Sequence, residues 1–377
     1  MVGGITMSKT TRIKRVQIPE NARLMMISDI HGHASGLRAL LKQTDFNKRD
    51  VLVIVGDLLE KGDENLQLVR DVMKLCEEYN VYVLTGNVDV SRLNMLMTDD
   101  PSFQQRLLKA SMKNKQWWPS SILEEMCTEI GVKMDEQMDT QSVYPRLRQH
   151  FKKELDFIAN LPVILETQRF IFVHGGIPHE RLDELECTDG TAYLKRDAFW
   201  QEGLSFDKYV VVGHWPAALY ADDKTCHNPI IDQERHIICL DGACGLKKDG
   251  QLNLVCLQDW RSDDFQLYTW DDFPEITALE DQEESGQSYY IHWARQLPEV
   301  TVVEERGEIT RVRYMEHELD VPTSYLWMEN GQWHCDDITS YQLPVKAGEK
   351  LRLVETNAIG CYVKKDGVVG WYKGKFQ

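Results

Sequence analysis

The sequence has no long apolar run, no excess of basic residues and no cysteine pair at zinc-ligand spacing. Without about 18 consecutive apolar residues it contains no candidate transmembrane helix, and we expect no membrane partner. The formal net charge of −17 disfavours a nucleic-acid polymer or an anionic membrane as the main partner, because both would be repelled. An anionic substrate is still compatible with this charge, since a bound dication reverses the field locally.

The nine cysteines are scattered, and none belongs to a CxxC pair. The N-terminal segment also lacks the apolar core of a signal peptide. Together these features predict reduced thiols and a cytoplasmic protein. Hydrophobic residues make up 42% of the 377 residues. That is enough for a sizeable core, in two domains or in one large domain with an appendage.

The first part of the chain alternates short apolar runs with amphipathic segments. Strands are predicted over residues 23–29, 50–57 and 81–87. Helical spacing of leucines and valines predicts helices over 35–46 and 64–79, between these strands. This alternation predicts parallel strand pairing with right-handed crossovers. Open sheets of this type bind their ligands at the carboxyl ends of the strands.

The remainder of the chain divides by composition. Residues 90–160, rich in Met, Lys, Gln and Trp, are interpreted as a helical insertion, and the acid-rich residues 263–287 as a linker. Residues 288–377 alternate in the manner of strands, with Gly and Asp at turns, and predict a small all-β module. Further strands are predicted between the insertion and the linker, over residues 169–176, 208–215, 235–242 and 252–257.

Six polar side chains stand at the carboxyl ends of predicted strands or within two residues beyond them. Such ends can meet at one rim of a parallel or mixed sheet. Carboxylate oxygens, an amide oxygen and neutral imidazoles suit two divalent ions, and one carboxylate can bridge ions about 3.5 Å apart. Each residue alone could simply decorate a turn, but the ordered set favours a binuclear metal site formed by Asp29, His31, Asp57, Asn87, His174 and His214.

The motifs around these residues resemble a known family. "SDIHGH", "GDLLEKG", "GNVD", "VHGG" and "GHW" look like successive motifs of the calcineurin-like metallophosphoesterases. The phosphoprotein-phosphatase branch, with its related bacterial Ser/Thr phosphatases and symmetrical dinucleoside tetraphosphatases, fits best. The resemblance covers roughly residues 22–258. It implies an α/β fold, a metallophosphoesterase β-sandwich flanked by helices, with a catalytic domain over residues 18–262.

The resemblance also implies roles for the six ligands. Asp29 and His31 would hold the first metal, and Asp57 would bridge both. The second metal would be completed by Asn87, His174 and His214. Manganese is the expected metal, with iron or zinc as alternatives. A hydroxide activated by the two metals would attack the phosphorus of a phosphorylated protein or nucleotide.

Four positions qualify this expectation. Val88 stands where the family has a histidine, thought to protonate the leaving group, and Glu60 stands where an aspartate orients it. Lys61 replaces a phosphate-binding arginine and can contact phosphate only as a point charge. Arg196 could be a second phosphate ligand, or one partner of a surface salt bridge. Without the histidine, we expect preference for good leaving groups or diesters and slow turnover of alkyl phosphoserine.

Two hypotheses of different class follow. The first is a phosphatase or phosphodiesterase acting on a phosphoprotein, a nucleotide or a dinucleoside polyphosphate. The second is a catalytically weakened phosphatase-fold protein that binds a partner as a scaffold. Val88 and Glu60 favour the second hypothesis, and the six intact ligands favour the first.

The C-terminal segment, residues 347–376, resembles a bacterial SH3-like barrel. Such a module could bind a peptide or protein partner in a groove lined by Trp333, Tyr362 and Trp371. A small barrel also needs aromatic residues in its core, so both interpretations stand at this point.

Overall fold

The computed structural model describes residues 12–115, 117–178, 190–294 and 299–377. The chain divides into two compact units. The first comprises the described parts of Met1–Pro216 and Pro229–Asp271, and the second comprises those of Ala217–Asn228 and Asp272–Gln377. No helix in the described ranges is both long and apolar enough to cross a membrane.

The elements are numbered in chain order. The strands are β1 (Ile13–Arg15), β2 (Leu24–Ile27), β3 (Val51–Val55), β4 (Asn80–Leu84), β5 (Ile164–Glu166), β6 (Phe170–Val173), β7 (Tyr209–Val212), β8 (Thr225–Cys226), β9 (Ile230–Asp232), β10 (Ile237–Cys239), β11 (Leu252–Leu257), β12 (Phe265–Trp270), β13 (Glu275–Thr277), β14 (Tyr290–Ile291), β15 (Glu299–Arg306), β16 (Ile309–Tyr314), β17 (His317–Pro322), β18 (Leu326–Glu329), β19 (Gln332–Cys335), β20 (Ile338–Thr339), β21 (Lys350–Asn357), β22 (Gly360–Lys365) and β23 (Val368–Tyr372). The α-helices are α1 (Ala34–Gln43), α2 (Asn65–Glu78), α3 (Asn87–Met97), α4 (Pro101–Asn114), α5 (Ile122–Glu129), α6 (Thr140–His150), α7 (Lys152–Asn160) and α8 (Thr191–Leu194). Short 3₁₀ helices span Phe199–Glu202, Ala217–Tyr220 and Thr323–Tyr325.

Two sheets form the sandwich of the first unit. One has the order β12-β11-β2-β3-β4, and the other has the order β1-β5-β6-β7-β10-β9. The predicted parallel pairing of β2, β3 and β4 is confirmed. β6, β7 and β10 are also parallel neighbours. The mixed α/β fold expected from the sequence is therefore present.

Alternation along the strands separates two cores. Met26 and Val53 face a core that they share with Phe172 and Val211 of the six-stranded sheet. Their neighbours Met25, Ile27, Leu52 and Ile54 face the opposite side, where helices α1 and α2 and the insertion cover them. Because both faces of β3 are buried, its sequence is the unbroken apolar run "VLVIV".

The predicted insertion consists of helices α3 to α7, which together run from Asn87 to Asn160. One side chain from this insertion anchors it to the neighbouring helix α2. The carboxylate of Glu125 in α5 accepts hydrogen bonds from the backbone N–H groups of Asn65 and Leu66, at 3.0 and 2.8 Å. Since Glu64 at the N-cap of α2 makes no side-chain capping bond, Glu125 satisfies donors that α2 itself leaves open.

Residues 263–287, interpreted above as a linker, contain two strands. β12 pairs with β11 along its whole length, and its Trp270 packs so closely on α1 that a Cβ at Gly36 would lie 2.5 Å from the indole. β13 pairs with β21 in the second unit. The flanking acidic residues hid the alternation of "FQLYTW". The division into a catalytic domain, a linker and a module stays a prediction.

The second unit is built from sheets, as expected for an all-β module. Its five-stranded sheets have the orders β13-β21-β22-β23-β8 and β17-β16-β15-β19-β18, with β14 and β20 as an additional pair. Tyr362 and Trp371 are 1% and 3% exposed, and the Trp371 indole N–H donates to the carbonyl of Thr339 at 2.7 Å. These two aromatic residues therefore belong to a core and do not line a groove.

Candidate metal centre

The loops that follow β2 and β3 are hydrogen-bonded to each other. The Asp29 N–H donates to the carbonyl of Gly56, and the His31 N–H donates to that of Asp57, both at 3.1 Å. Asp29, His31, Asp57 and His214 all have left-handed backbone angles, with φ of 52°, 47°, 51° and 66°. Such conformations cost non-glycine residues of order 1 kcal/mol or more and cluster at functional sites.

Asp29, His31 and Asp57 converge in the interior. Each is at most 3% exposed, and a donor atom from each lies within 4.8 Å of the others. The His31 Nε2 atom is 3.8 Å from Asp29 Oδ1 and 3.7 Å from Asp57 Oδ2. Three buried donors at this spacing can hold one divalent ion.

Asn87, His174 and His214 extend the same cluster. His174 Nε2 lies 3.4 Å from Asp57 Oδ2 and 3.0 Å from Asn87 Oδ1. His214 Nδ1 lies 2.9 Å from the same amide oxygen. The His214 backbone N–H also donates to Asp29 Oδ2 at 3.1 Å. The structure thus brings together all six side chains that were selected as ligands from the sequence.

The protonation of two histidines suits them to metal binding. Nδ1 of His31 lies 2.8 Å from the carbonyl oxygen of Leu59, and Nδ1 of His174 lies 2.9 Å from that of Val55. A carbonyl can only accept, so each Nδ1 carries a hydrogen. Because Nδ1 is bonded to a carbonyl in each ring, Nε2, which faces the carboxylates, is the atom left to bind a metal, as is usual where a backbone carbonyl orients a histidine ligand.

Buried acids make the centre electrostatically costly unless cations compensate them. Burial and the nearby charge of Asp241 raise the pKa of Asp29 well above its usual value. Burial raises the pKa of Asp241 to about 6. Burial, together with the Lys61 charge, lowers the pKa of His31 to about 3, so this imidazole stays neutral. Crowded carboxylates beside imidazole nitrogens fit a pair of divalent ions.

Two glycines provide the space for the carboxylates. A Cβ at Gly86 would lie 2.0 Å from Asp57 Oδ1, and a Cβ at Gly213 would lie 2.1 Å from Asp29 Oδ2. Neither glycine has a positive φ, so close approach is the reason for glycine here, not backbone conformation.

The comparison with protein families decides the family to which this fold belongs. The family model for the calcineurin-like phosphoesterases matches residues 22–232, more than half of the chain. The chain belongs to the calcineurin-like phosphoesterases. The resemblance read from the sequence motifs is therefore confirmed, and the matched range contains all six donors.

Curated relatives of this phosphoesterase are named symmetrical bis(5'-nucleosyl)-tetraphosphatases. One from Wigglesworthia glossinidia brevipalpis is 35% identical over 69 residues, which are 18% of this chain and 25% of that protein. The chain thus spans about a quarter of the length of the first relatives that it matches. One from Vibrio cholerae serotype O1 is 22% identical over 277 residues, 71% of this chain and 83% of that protein. A Saccharomyces cerevisiae serine/threonine phosphatase structure is 10% identical with a TM-score of 0.44, covering 70% of this chain and 85% of that one.

The two predicted phosphate-binding cations differ in their surroundings. The Lys61 ammonium of this phosphoesterase donates to Nε2 of His31 at 2.6 Å, so it lies directly at the centre. Arg196 instead forms a two-point salt bridge with Glu202, at 2.6 Å for both contacts. The salt bridge named as the alternative for Arg196 is thus present, and its phosphate contact stays a prediction.

Two acidic residues at the centre were not selected from the sequence. Asp197 Oδ1 lies 2.9 Å from Nε2 of His214, and a proton on Nε2 leaves Nδ1 available as a ligand. Asp241, after β10, is 2% exposed and accepts a hydrogen bond from the Ala243 N–H at 2.7 Å. The signal for Asp241 was "CLDGAC", another polar residue just past an apolar strand.

Asp89 fixes the start of α3 against the loop that carries Asp57. Its Oδ1 accepts from the N–H groups of Leu58 and Leu59, at 2.9 and 3.2 Å, and its Oδ2 accepts from that of Gly86 at 2.9 Å. Burial raises the pKa of Asp89 to about 6. Asn87 and Asp57 are therefore held on one rigid support.

Proposed function

We propose that this protein is a metal-dependent phosphoester hydrolase. The observation that carries the proposal is the convergence of Asp29, His31, Asp57, Asn87, His174 and His214, whose donor atoms lie about a coordination sphere apart. Two divalent ions held there would lower the pKa of a water nucleophile and neutralise charge on the phosphoryl group. We further propose dinucleoside polyphosphates as the best-supported substrate class.

The residues of the chain divide the remaining work. The Val88 N–H donates to Asp57 Oδ1 at 2.9 Å, which orients Oδ2 between His31 and His174, at 3.7 and 3.4 Å from their Nε2 atoms. Asp57 is thus the carboxylate best placed to be shared by both ions. Lys61, now on His31, is close enough to contact a bound phosphoryl oxygen instead.

The substrate class follows from the side chain at position 88. An isopropyl group gives no proton to a departing oxygen, and loss of a general acid costs about 10²- to 10⁴-fold when the leaving group is poor. The leaving group of a phosphate anhydride is itself a phosphate, which departs without being protonated by a general acid. The names of the relatives, symmetrical tetraphosphatases, agree with this class, so we place dinucleoside polyphosphates ahead of phosphoserine proteins.

A substrate panel tests the function. The protein would be purified with Mn²⁺, its metal content measured, and a dinucleoside tetraphosphate, p-nitrophenyl phosphate, its bis ester and a phosphoserine peptide assayed. We expect turnover to be highest on the tetraphosphate, lowest on the peptide, and abolished by Asp57→Asn. A metal-loaded protein that turns over none of these substrates would contradict the proposal.

That contrary result would favour the second candidate, a catalytically weakened binding or scaffold protein. The observation behind this candidate is that the Glu60 carboxylate makes structural contacts. It accepts a hydrogen bond from the Ile122 N–H at 3.1 Å and pairs with Arg92. This glutamate orients no catalytic histidine, because Val88 occupies that position.

Three finer assignments accompany the proposal. Manganese is proposed as the resident metal and the cytoplasm as the location. The C-terminal module is proposed to be SH3-like, with a peptide or protein as its partner. Since Tyr362 and Trp371 are buried, such a partner would contact other residues of the module.

A further inference from the structure

An arginine lies one helical turn beyond the position of the missing histidine. α3 begins at Asn87, one of the proposed metal ligands, and Arg92 follows Val88 by four residues. Residues four apart share a helix face. Side chains in helices lean toward the N-terminus, so the long side chain of Arg92 extends back over Val88, toward the start of α3.

The contact with Glu60 locates the guanidinium independently. Arg92 Nε is 3.3 Å from Glu60 Oε1, and the side chain of Glu60 is only 4% exposed. Glu60 lies between Leu59, whose carbonyl oxygen contacts His31, and Lys61, whose ammonium contacts the same ring. The helix direction and this ion pair are the two observations that favour a position of Arg92 at the edge of the metal centre.

The guanidinium has unused donors there. In the ranges that the structure describes, its Nε is buried without a hydrogen bond, and Nη1 reaches only Ser91 Oγ at 3.4 Å. The side chain is 20% exposed, so the group is open to a ligand on one side. A guanidinium that is held by one carboxylate and retains free N–H groups is suited to bind phosphate oxygens in a fork.

We propose that Arg92 binds the phosphate oxygens of the leaving group, so that the substrate is one whose leaving group is itself a phosphate chain. This inference rests on the proposed hydrolase function and narrows it. Glu60 fixes the guanidinium, and Lys61 remains for the phosphoryl group that is attacked. The bond that breaks is a P–O–P linkage. Water adds to the attacked phosphorus and releases its proton to solvent, the P–O bond to the leaving phosphate breaks, and Arg92 stabilises the negative charge of that departing phosphate.

The chemistry of arginine explains why Val88 is tolerated. A guanidinium keeps its proton in proteins, so it cannot act as the acid that an alkyl ester needs. It can stabilise charge that an anhydride leaving group already carries. Arg92 therefore assists substrates with a polyphosphate leaving group and gives little help to a departing nitrophenolate, which offers no phosphate oxygens to the guanidinium fork.

The test compares two substrates in matched variants. Arg92→Gln should lower kcat/KM for a dinucleoside tetraphosphate by about 10²-fold and that for p-nitrophenyl phosphate by only a few-fold. Arg92→Lys, which keeps the charge and loses the fork, should fall between wild type and Arg92→Gln on the tetraphosphate. Arg148→Gln is the control, since Arg148 is 21% exposed and pairs with Asp99 in the same insertion. This control variant should change kcat/KM by the same factor for both substrates.

A further readout separates binding from a structural role. Guanidinium ion added to Arg92→Ala should restore part of the tetraphosphate activity and none of any loss in Arg148→Gln. Equal losses on both substrates, or no rescue, would overturn the role of Arg92. A wild-type protein inactive on every substrate would instead overturn the proposed function. Arg92→Lys keeps the comparison available if Arg92→Gln fails to fold.

Discussion

The smallest side chains at the metal centre set the distances between the larger ones. Gly86 leaves no room for a methyl group beside Asp57. Gly86→Ala should therefore displace the carboxylate and reduce bound metal from two ions to at most one, with loss of turnover. Metal analysis by mass spectrometry and the tetraphosphate assay would measure both. Gly286→Ala, where an added Cβ meets nothing within 4 Å, is the control and should keep full metal content.

Asp241 makes the stability of the metal-free protein depend on pH. Its pKa is raised by burial from 3.8 to about 6. Its contribution to stability is therefore fully present below pH 3.8 and is lost as the pH rises through about 6. In chelator-treated protein, Asp241→Asn should remove this loss and stabilise by on the order of 3 kcal/mol at pH 7. Little difference should remain near pH 4.

Urea unfolding of both proteins across this pH range measures the effect. Asparagine keeps an acceptor for the Ala243 N–H, so the variant isolates the charge. A stability difference that does not change with pH would show that Asp241 does not titrate in this range. With metal present, Asp241→Asn should instead destabilise the protein, because the carboxylate charge favours binding of the ions.

Among single residues, strand-end position was sufficient to select six side chains that the structure brings together, and their role as metal ligands stays a prediction. It was insufficient for Asp197, which follows Arg196 in a loop directly after helix α8 and not after a strand. The left-handed angles at Asp29 and Asp57 were also outside what the sequence indicates. They arise because the two loops pair with each other, a tertiary effect that local sequence does not encode.

At the scale of elements, the contact between α5 and α2 can be tested directly by mutation. Glu125→Ala removes the acceptor for two N–H groups in the first turn of α2. We expect a loss of about 1 to 3 kcal/mol in the free energy of unfolding. Urea titration followed by circular dichroism would measure it. Glu124→Ala, which removes an ion pair with Lys115, should cost less than 1 kcal/mol. Equal losses would contradict the capping role.

Elements with strong apolar patterning were predictable within a few residues. β3 was expected over 50–57 and spans Val51–Val55, because a strand buried on both faces has an unmistakable composition. β12 was missed, because its neighbours are acidic and it forms an edge of the sheet, half exposed. The helices of the insertion were recognisable as a group, but their individual limits depend on caps such as Asp100 and Ser121.

At the scale of the whole molecule, the short segment Ala217–Asn228 belongs to the second unit although it lies between strands of the first. Its β8 pairs with β23, joining Cys226 to Val368 and Thr225 to Val369. A chain truncated after Asp271 would leave this strand unpaired and expose the buried Thr225 and His227. We expect rapid proteolysis within 217–228 and increased binding of a hydrophobic dye.

The matched control for the truncation replaces residues 217–228 with a short Gly/Ser linker in the same truncated chain. This variant should regain resistance to protease, because the unpaired strand is gone. If the simple truncation were as resistant to protease as the full chain, segment 217–228 would not need β23 for its stability. A catalytic domain that ends near residue 262 would then be stable by itself.

The donors of the metal centre come from both layers of the sandwich. Asp29, His31 and Asp57 follow strands of the five-stranded sheet, whereas His174 and His214 follow strands of the six-stranded sheet. Ions bound by all of them would act as a clamp between layers that otherwise adhere through non-directional apolar contact. Sliding of one layer by a single residue would disassemble the centre, so metal retention would report on the alignment of the entire sandwich.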